Sequence, residues 1–259
     1  MSSGVDVIVR TYNSESTLRN CLKSVTELLP ANRILVIDHH SKDDTLSIAN
    51  EYKCEIYSED EGLGRATSLG IERSTTDMIL FVDSDITVKR SDFFDIALEY
   101  MKDQNVGAVV GMSLGHKFSY GLPLGMTMFR RLIVQKVNIP GYVMSRETYF
   151  IQRFFRKNGL RVKYIPDSNV HTPESRKFSN WPEWQGSWVR LTSGLNPREV
   201  VYSLLVVFLL LSNSRNVKNF FYFPIFQAKL LRGFIEPEKW SRSFRPETAR
   251  VSKNKGDKL

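Results

Sequence analysis

Asp83-Ser84-Asp85 closes the buried run Met78–Val82 (MILFV). In extended chain, residues i and i+2 point to the same side, so the two carboxylates can converge on a hard divalent cation, and such a cation can bridge a diphosphate. For so short a motif the ordinary alternative is a solvated turn that caps the next helix. Two further polar blocks end apolar runs in the same way: Thr11-Tyr12-Asn13 after Val5–Val9, and Asp38-His39-His40-Ser41 after Arg33–Asp38. Open α/β sheets bind ligands outside the carboxyl ends of their strands, so all three blocks are expected to face one crevice. His39-His40 is not expected to form a metal pair, because adjacent side chains diverge. Gly62-Leu63-Gly64 is not a dinucleotide fingerprint: it does not follow the first strand, and Thr67 stands at the third glycine place. No GxxxxGK[ST] phosphate loop occurs.

The elements that must position these blocks follow from periodicity. Short apolar runs at Val5–Val9, Arg33–Asp38, Glu55–Tyr57, Met78–Val82 and Val106–Val110 read as strands. Helical spacing separates them: 14–25, with Leu18, Cys21, Leu22 and Val25 on one face, then 45–53, 62–74 and 93–101. This alternation predicts an α/β fold with a mainly parallel sheet flanked by helices. Residues 112–140, rich in Gly, Met and basic side chains, are expected to form loops over the crevice. A helix at 146–158 and a sixth strand at Val162–Ile165 follow.

Composition excludes several classes. The chain has 259 residues, of which 42% are hydrophobic and 25% charged, so a globular fold is expected rather than disorder. Two cysteines, Cys21 and Cys54, are too few for a disulfide framework or a four-cysteine zinc site. The N-terminal residues lack the basic and apolar regions of a secretory signal, and none is expected. Residues 1–115 hold 11 Lys and Arg against 19 Asp and Glu, a net of −8, while residues 116–259 hold 25 against 9, a net of +16. The basic half suits an anionic partner, and the acidic half argues against nucleic acid across the whole molecule.

In order and at matching spacing, the stretches VDVIVRTYNSESTLRNCLKSV, ILVIDHHSKDDTLSIA and EGLGRATSLGIERSTTDMILFVDSDI resemble the family-2 glycosyltransferases of the GT-A fold. The resemblance covers about residues 4–111 and continues more weakly through SRETYFIQRFFRKNGLRVKYIPDSNVHT. It implies a Rossmann-like GT-A domain and inverting transfer of a sugar from a nucleotide-diphosphate donor to an acceptor hydroxyl or phosphate. It also implies roles. Thr11, Tyr12 and Asn13 would line the base and ribose pocket, Asp38 would bond the base or ribose, and Arg65 would lie near the nucleotide or its phosphates. Asp83 would contact ribose or metal. Asp85 would ligate Mg²⁺ or Mn²⁺, with His171 an additional metal ligand. Glu147 would be the base that deprotonates the acceptor hydroxyl. This chain departs from the family at Arg10, where Pro is usual, at Asp38-His39, where Asp-Asp or Asp-Asn is usual, and at Arg146-Glu147, where Glu-Asp is usual.

Beyond about residue 175, Trp181, Trp184, Trp188, Leu191 and Leu195 mark an amphipathic helix, and Val200–Leu211 and Phe220–Phe226 are the most apolar runs. Val200–Leu211 would reach about 18 Å as a helix at 1.5 Å per residue, short of a hydrocarbon core of about 30 Å. The expectation is therefore a catalytic domain at 1–175, a helical appendage at 176–241 lying on the cytoplasmic face of a membrane as a peripheral or monotopic attachment, and a basic flexible tail at 242–259. Such an attachment suits a lipid-linked acceptor; helical packing or an oligomer interface is the competing reading of these segments. A nucleotidyltransferase of related fold would need a glycine-rich loop after the first strand, which RTYNSES lacks. A degenerate homologue that binds a nucleotide sugar without catalysis is the remaining alternative.

Overall fold

The computed structural model describes residues 4–116, 122–172, 180–201, 205 and 218–241. The chain divides into two compact units, Met1–Ser175 and Arg176–Leu259.

In the first unit the strands are β1 (Val5–Thr11), β2 (Ala31–Asp38), β3 (Glu55–Ser58), β4 (Met78–Val82), β5 (Ile86–Val88), β6 (Val106–Ser113), β7 (Met126–Arg130) and β8 (Arg161–His171). The helices are α1 (Glu15–Leu28), α2 (Thr45–Glu51), α3 (Leu63–Arg73), α4 (Phe93–Met101), α5 (Arg131–Val134) and α6 (Thr148–Lys157). One sheet runs in the order β3-β2-β1-β4-β7-β6-β8-β5. Strands β3, β2, β1 and β4 are parallel, with Thr11 opposite Asp38. The expected mainly parallel sheet is in fact mixed: β7 runs antiparallel to both β4 and β6, and β5 antiparallel to β8. The loops expected across 112–140 are corrected accordingly. Met126–Arg130 is a central strand whose Met126, Met128 and Phe129 are buried, and α5 follows it directly.

Strand alternation divides the core into two layers. Val5, Val7 and Val9 of β1 join Leu80 and Val82 of β4 under α1, α2 and α4. Ile8, Ile79 and Phe81 face the opposite side, under α3, α5 and α6. Arg10, two residues after Ile8, and Asp83, two after Phe81, continue the second face past the apolar core.

That face is closed by an interlock between α3 and the loop before α6. The Gly64 N–H donates to the Val143 carbonyl at 2.7 Å and the Arg65 N–H to the Gly141 carbonyl at 3.1 Å, so the loop satisfies the first turn of α3. A Cβ on Gly64 would stand 2.1 Å from the Pro140 carbonyl oxygen. Gly64→Ala must therefore displace backbone, and it is expected to lower stability by about 1–3 kcal/mol, read as a lower urea midpoint at unchanged slope.

The second unit holds α7 (Trp181–Ser193), α8 (Lys218–Ile235) and α9 (Pro237–Ser241). Helices α7 and α8 cross where both carry glycine: a Cβ on Gly186 would meet the Leu230 carbonyl oxygen at 1.9 Å, and one on Gly233 the Glu183 carbonyl oxygen at 1.8 Å. Trp184 and Trp188 are buried in this unit. Of the apolar run Val200–Leu211 only positions 200, 201 and 205 are described, and the tail 242–259 lies outside the described residues. No described helix is long and apolar enough to cross a membrane.

Candidate active site

The carboxyl end of β1 delivers Arg10 onto the α3–α6 face with its side chain 8% exposed. Its Nη2 donates to Asp83 Oδ1 at 2.6 Å, and its Nη1 to Glu147 Oε1 at 2.8 Å and to Thr67 Oγ1 at 3.2 Å. The guanidinium lies 5.8 Å from the Phe81 ring centroid. Burial works against its charge, but Asp83 and then Glu147 outweigh the burial and hold Arg10 above its ordinary value. Glu147, itself buried, stands at the start of α6 behind Arg146, whose φ is 63°.

Asp83 stays in ladder with the β7 side, its N–H donating to the Gly125 carbonyl at 2.9 Å. The chain then turns tightly, with the Ile86 N–H on the Asp83 carbonyl at 3.0 Å. The extended Asp83–Asp85 geometry expected from sequence is therefore replaced by a turn that sends the two carboxylates to different partners. Asp83 goes to Arg10, and Asp85 Oδ2 lies 2.9 Å from His171 Nε2. The bond to Asp85 raises the His171 imidazole above its usual value, although partial burial opposes this.

His171 reaches Asp85 because β8 gains a second partner along its length. It pairs with β6 from Arg161 to Asn169, with a register shift between Gly111 and Ser113, and its other edge pairs with β5 over Asn169–His171, setting His171 opposite Ile86. The break falls at Pro166-Asp167, where Pro offers no ladder N–H and Asp167 takes a φ of 51°.

The remaining sequence-derived candidates lie at the ends of β1–β3 and on α3. Asp38 is fully buried; its Oδ1 accepts from the Thr11 hydroxyl at 2.8 Å and its Oδ2 from the Ser41 N–H at 2.8 Å, so its carboxylate knits β1 to β2. Tyr12 packs edge-on to His39, with ring centroids 5.6 Å apart. Asn13, at a φ of 47°, accepts from the Lys42 N–H at 2.8 Å. The two histidines diverge to different acids. His39 Nδ1 lies 2.5 Å from Glu59 Oε1, a bond that raises its affinity for a proton, and His40 meets Asp60. Arg65 turns along α3 to Glu72 at 2.9 Å and lines a cavity of about 470 Å³ with Glu61, Ser68, Gln135 and Asn138.

Arg10 and Thr67 are the residues that reading by motif overlooked. The alternation Ile8-Arg10 was the available signal, since it puts a cation on the buried face of a central strand.

Among the described residues, no group of three or more His, Cys, Asp and Glu is gathered into a ready-made metal site. Asp85 and His171 nevertheless bring a carboxylate and an imidazole side by side, their Oδ2 and Nε2 atoms 2.9 Å apart. A carboxylate suits Mg²⁺ or Mn²⁺, and an imidazole suits the softer of the two.

The family described as glycosyl transferase family 2 matches residues 6–170. "Probable glycosyltransferase YdaM" of Bacillus subtilis (strain 168) is 24% identical, over 85% of this chain and 61% of its own length. The O-antigen chain rhamnosyltransferase RfbN of Salmonella typhimurium is 29% identical, over 44% of this chain and 38% of its own length. This chain thus spans about three fifths, or less, of the curated relatives it matches. Among solved structures, glucosyl-3-phosphoglycerate synthase from Mycobacterium tuberculosis in complex with Mn²⁺ and UDP-glucose superposes with a TM-score of 0.60 at 18% identity, covering 76% of this chain and 79% of that one. The same enzyme with Mg²⁺ and UDP gives 0.59 at 17%, covering 76% and 79%. These likenesses establish the GT-A-type fold. With nearly two thirds of its residues inside the family match and its site carboxylates at the strand ends of that fold, the chain belongs to glycosyl transferase family 2.

Proposed function

We propose that this protein transfers a sugar from a nucleotide-diphosphate donor to an acceptor hydroxyl or phosphate, with inversion, by a single displacement. One observation carries the reading: Asp83 and Glu147, 64 positions apart in sequence, meet at one guanidinium, and Asp85, two residues on, meets His171 of β8. In this reading Glu147 accepts the proton of the acceptor hydroxyl while the acceptor oxygen attacks the anomeric carbon. The bond from that carbon to the diphosphate oxygen breaks, and the nucleoside diphosphate leaves. No covalent enzyme intermediate is needed, so no nucleophilic Ser or Cys is required. Thr11, Tyr12, Asn13 and Asp38 line the nucleotide end, where the Tyr12–His39 pair offers a face for a base. Asp85 and His171, with Asp83 nearby, hold Mg²⁺ or Mn²⁺. When bound, that cation neutralises charge developing on the leaving diphosphate. UDP and UDP-glucose in the neighbours named above support a uridine donor.

The test is a screen of UDP-, GDP- and dTDP-sugars for nucleotide release with Mn²⁺. Release from one donor class supports the reading. Binding without release under every acceptor tried points to the degenerate homologue.

We further propose that the second unit attaches to the cytosolic face of an anionic membrane and brings a lipid-linked acceptor within reach. Its exposed apolar side chains support this: Leu195 and Ile235 are 70% and 69% exposed, and Val201, Leu205 and Ile225 more than half. Arg190, Arg198, Lys229, Arg232 and Lys239 supply cations in the same unit. Each cation near an anionic surface contributes about 1 kcal/mol. The full chain is expected to float with vesicles containing phosphatidylserine at low salt and to be released as salt rises. Recovery in the soluble fraction at low salt would assign these side chains to a protein interface instead.

A further inference from the structure

Arg10 is the least expected residue of the site. A guanidinium at the end of a buried central strand is costly unless its charge and its N–H groups are matched. Here Asp83, Glu147 and Thr67 match it, and it is 8% exposed against 7% for Glu147. The three partners come from separate segments: the turn after β4, the start of α6, and α3. None of these segments fixes the Glu147 carboxylate by itself. Glu147 precedes the first residue of α6 with helical angles of its own (φ −54°, ψ −31°), directly after Arg146 in the left-handed region, and its side chain makes no cap hydrogen bond, so the helix aims its backbone but does not hold its carboxylate. Likewise the Asp83 side chain leaves the ladder where the strand ends and the turn begins.

The guanidinium supplies the missing constraint. It is planar and rigid, and its two terminal nitrogens divide the work: Nη1 takes Glu147 and Thr67, Nη2 takes Asp83. A single plane thereby sets both the separation and the mutual orientation of two carboxylates 64 positions apart in sequence. An ammonium group would match the charge without the geometry, because it is a point donor on a flexible stem. The hydroxyl of Thr67 adds to the constraint. It donates to the Leu63 carbonyl at 2.8 Å within α3 while accepting from Arg10, and so ties the plane to the helix that the loop at 140–143 locks in place.

We infer that Arg10 is a positioning residue of the transfer site, holding the base carboxylate of Glu147 at a fixed distance and angle from the donor-side carboxylate of Asp83. This rests on the reading of Glu147 as base and Asp83 as a donor contact. Arg10 acts through those two groups and need not touch the sugar. The consequence is a division between binding and turnover. Loss of the fork misaligns Glu147 relative to the donor, whereas the nucleotide end at Thr11–Asn13 and Asp38 is untouched.

The experiment compares Arg10→Lys and Arg10→Met in the full chain. Arg10→Lys keeps the charge that two buried carboxylates require and so keeps the fold; Arg10→Met is the harsher change. UDP affinity with Mn²⁺ is measured by calorimetry, kcat and KM with the donor found by the screen, and carboxylate positions from a crystal structure of Arg10→Lys. The expected result is a Glu147 carboxylate turned out of the wild-type position, UDP affinity and KM within about threefold of wild type, and kcat lower by about 100-fold, the scale of a 1 Å misplacement. Arg10→Met should fall further. A residue that merely stabilised the fold would lower melting temperature and active fraction, and the folded Arg10→Lys protein would keep its kcat. The inference is overturned if Arg10→Lys leaves Glu147 and Asp83 in place, or if kcat stays within threefold after they move. A wild-type protein that turns over no sugar nucleotide overturns the functional reading instead. The two failures are distinct, because the crystal structure reads carboxylate geometry without turnover.

Discussion

Glu147→Gln is expected to bind nucleotide donor about as well as wild type and to transfer sugar at least about 100-fold more slowly, the usual loss when a general base is removed. The amide keeps the size and a hydrogen-bond acceptor for Arg10 Nη1, which now lies 2.8 Å from Glu147 Oε1, so the site should hold its shape. It cannot take a proton from the acceptor. Pre-steady-state mixing should show full donor binding followed by a slow chemical step. The Gln variant also removes one of the two carboxylate charges that match Arg10, and a modest fall in thermal stability should accompany the loss of rate. A near-wild-type kcat would move the base elsewhere, with Asp167 as the next carboxylate to change.

Asp85→Asn should cost at least about 100-fold in turnover, because several kcal/mol of charge stabilisation leave with a lost cation. The amide preserves the shape at the Ile86 turn, and the Asp85 carbonyl still accepts the Thr172 N–H at 2.8 Å, so β5 and β8 should stay paired. Raising Mn²⁺ should restore part of the rate in the Asn variant, and chelation should abolish wild-type turnover. Full wild-type activity in excess chelator would reject the Asp85–His171 pair as a metal site.

How much of this was legible in the sequence depended on the range over which each feature is decided. Strands β1, β2 and β4 and helices α1, α3 and α4 are set by local periodicity, and they appear where apolar spacing put them, to within a few residues. Strand β7 was hidden. Its sequence, MTMFR, has one β-branched residue and follows Gly and Pro, and its strand character comes from β4 and β6, which flank it in the sheet but lie well before it in sequence. Strand β5 is three residues long, too short for alternation to register. Strand β8 extends past the expected end at Ile165: Pro166 ordinarily ends a ladder, yet here a bulge lets the strand rejoin β6 at Asn169 and take β5 on its other edge.

The site divides in the same way. The motif residues that end strands were legible, since strand ends are local facts. The pairing of His171 with Asp85 depends on the bulge in β8, and the meeting of Asp83 with Glu147 depends on Arg10. That arginine showed in the sequence as a departure from the usual Pro and as a cation two residues after Ile8. A residue that contradicts the local pattern on a buried face signals a long-range partner, but spacing alone could not say which.

The second partner that β8 gains also bears on how the sheet limits pairing at its edges. The sheet's terminal strands, β3 and β5, are its shorter ones, with four and three residues. Neither offers much unpaired backbone to a foreign strand. Beyond the reach of β5, the segment Arg161–Ile165 carries Arg161 and Lys163, with Arg161 paired to Asp103 and Lys163 lying over the Tyr100 ring. On β3, Glu55 is held by Arg33. Charge therefore guards both margins, while the apolar runs VDVIV and VGAVV lie inside the sheet. Partial unfolding that peels β8 from β6 would uncover VGAVV, a short, uncharged, β-prone stretch of the kind that seeds cross-β association. Colloidal behaviour should thus follow the hold of β8 on β6 more closely than the net charge of the chain.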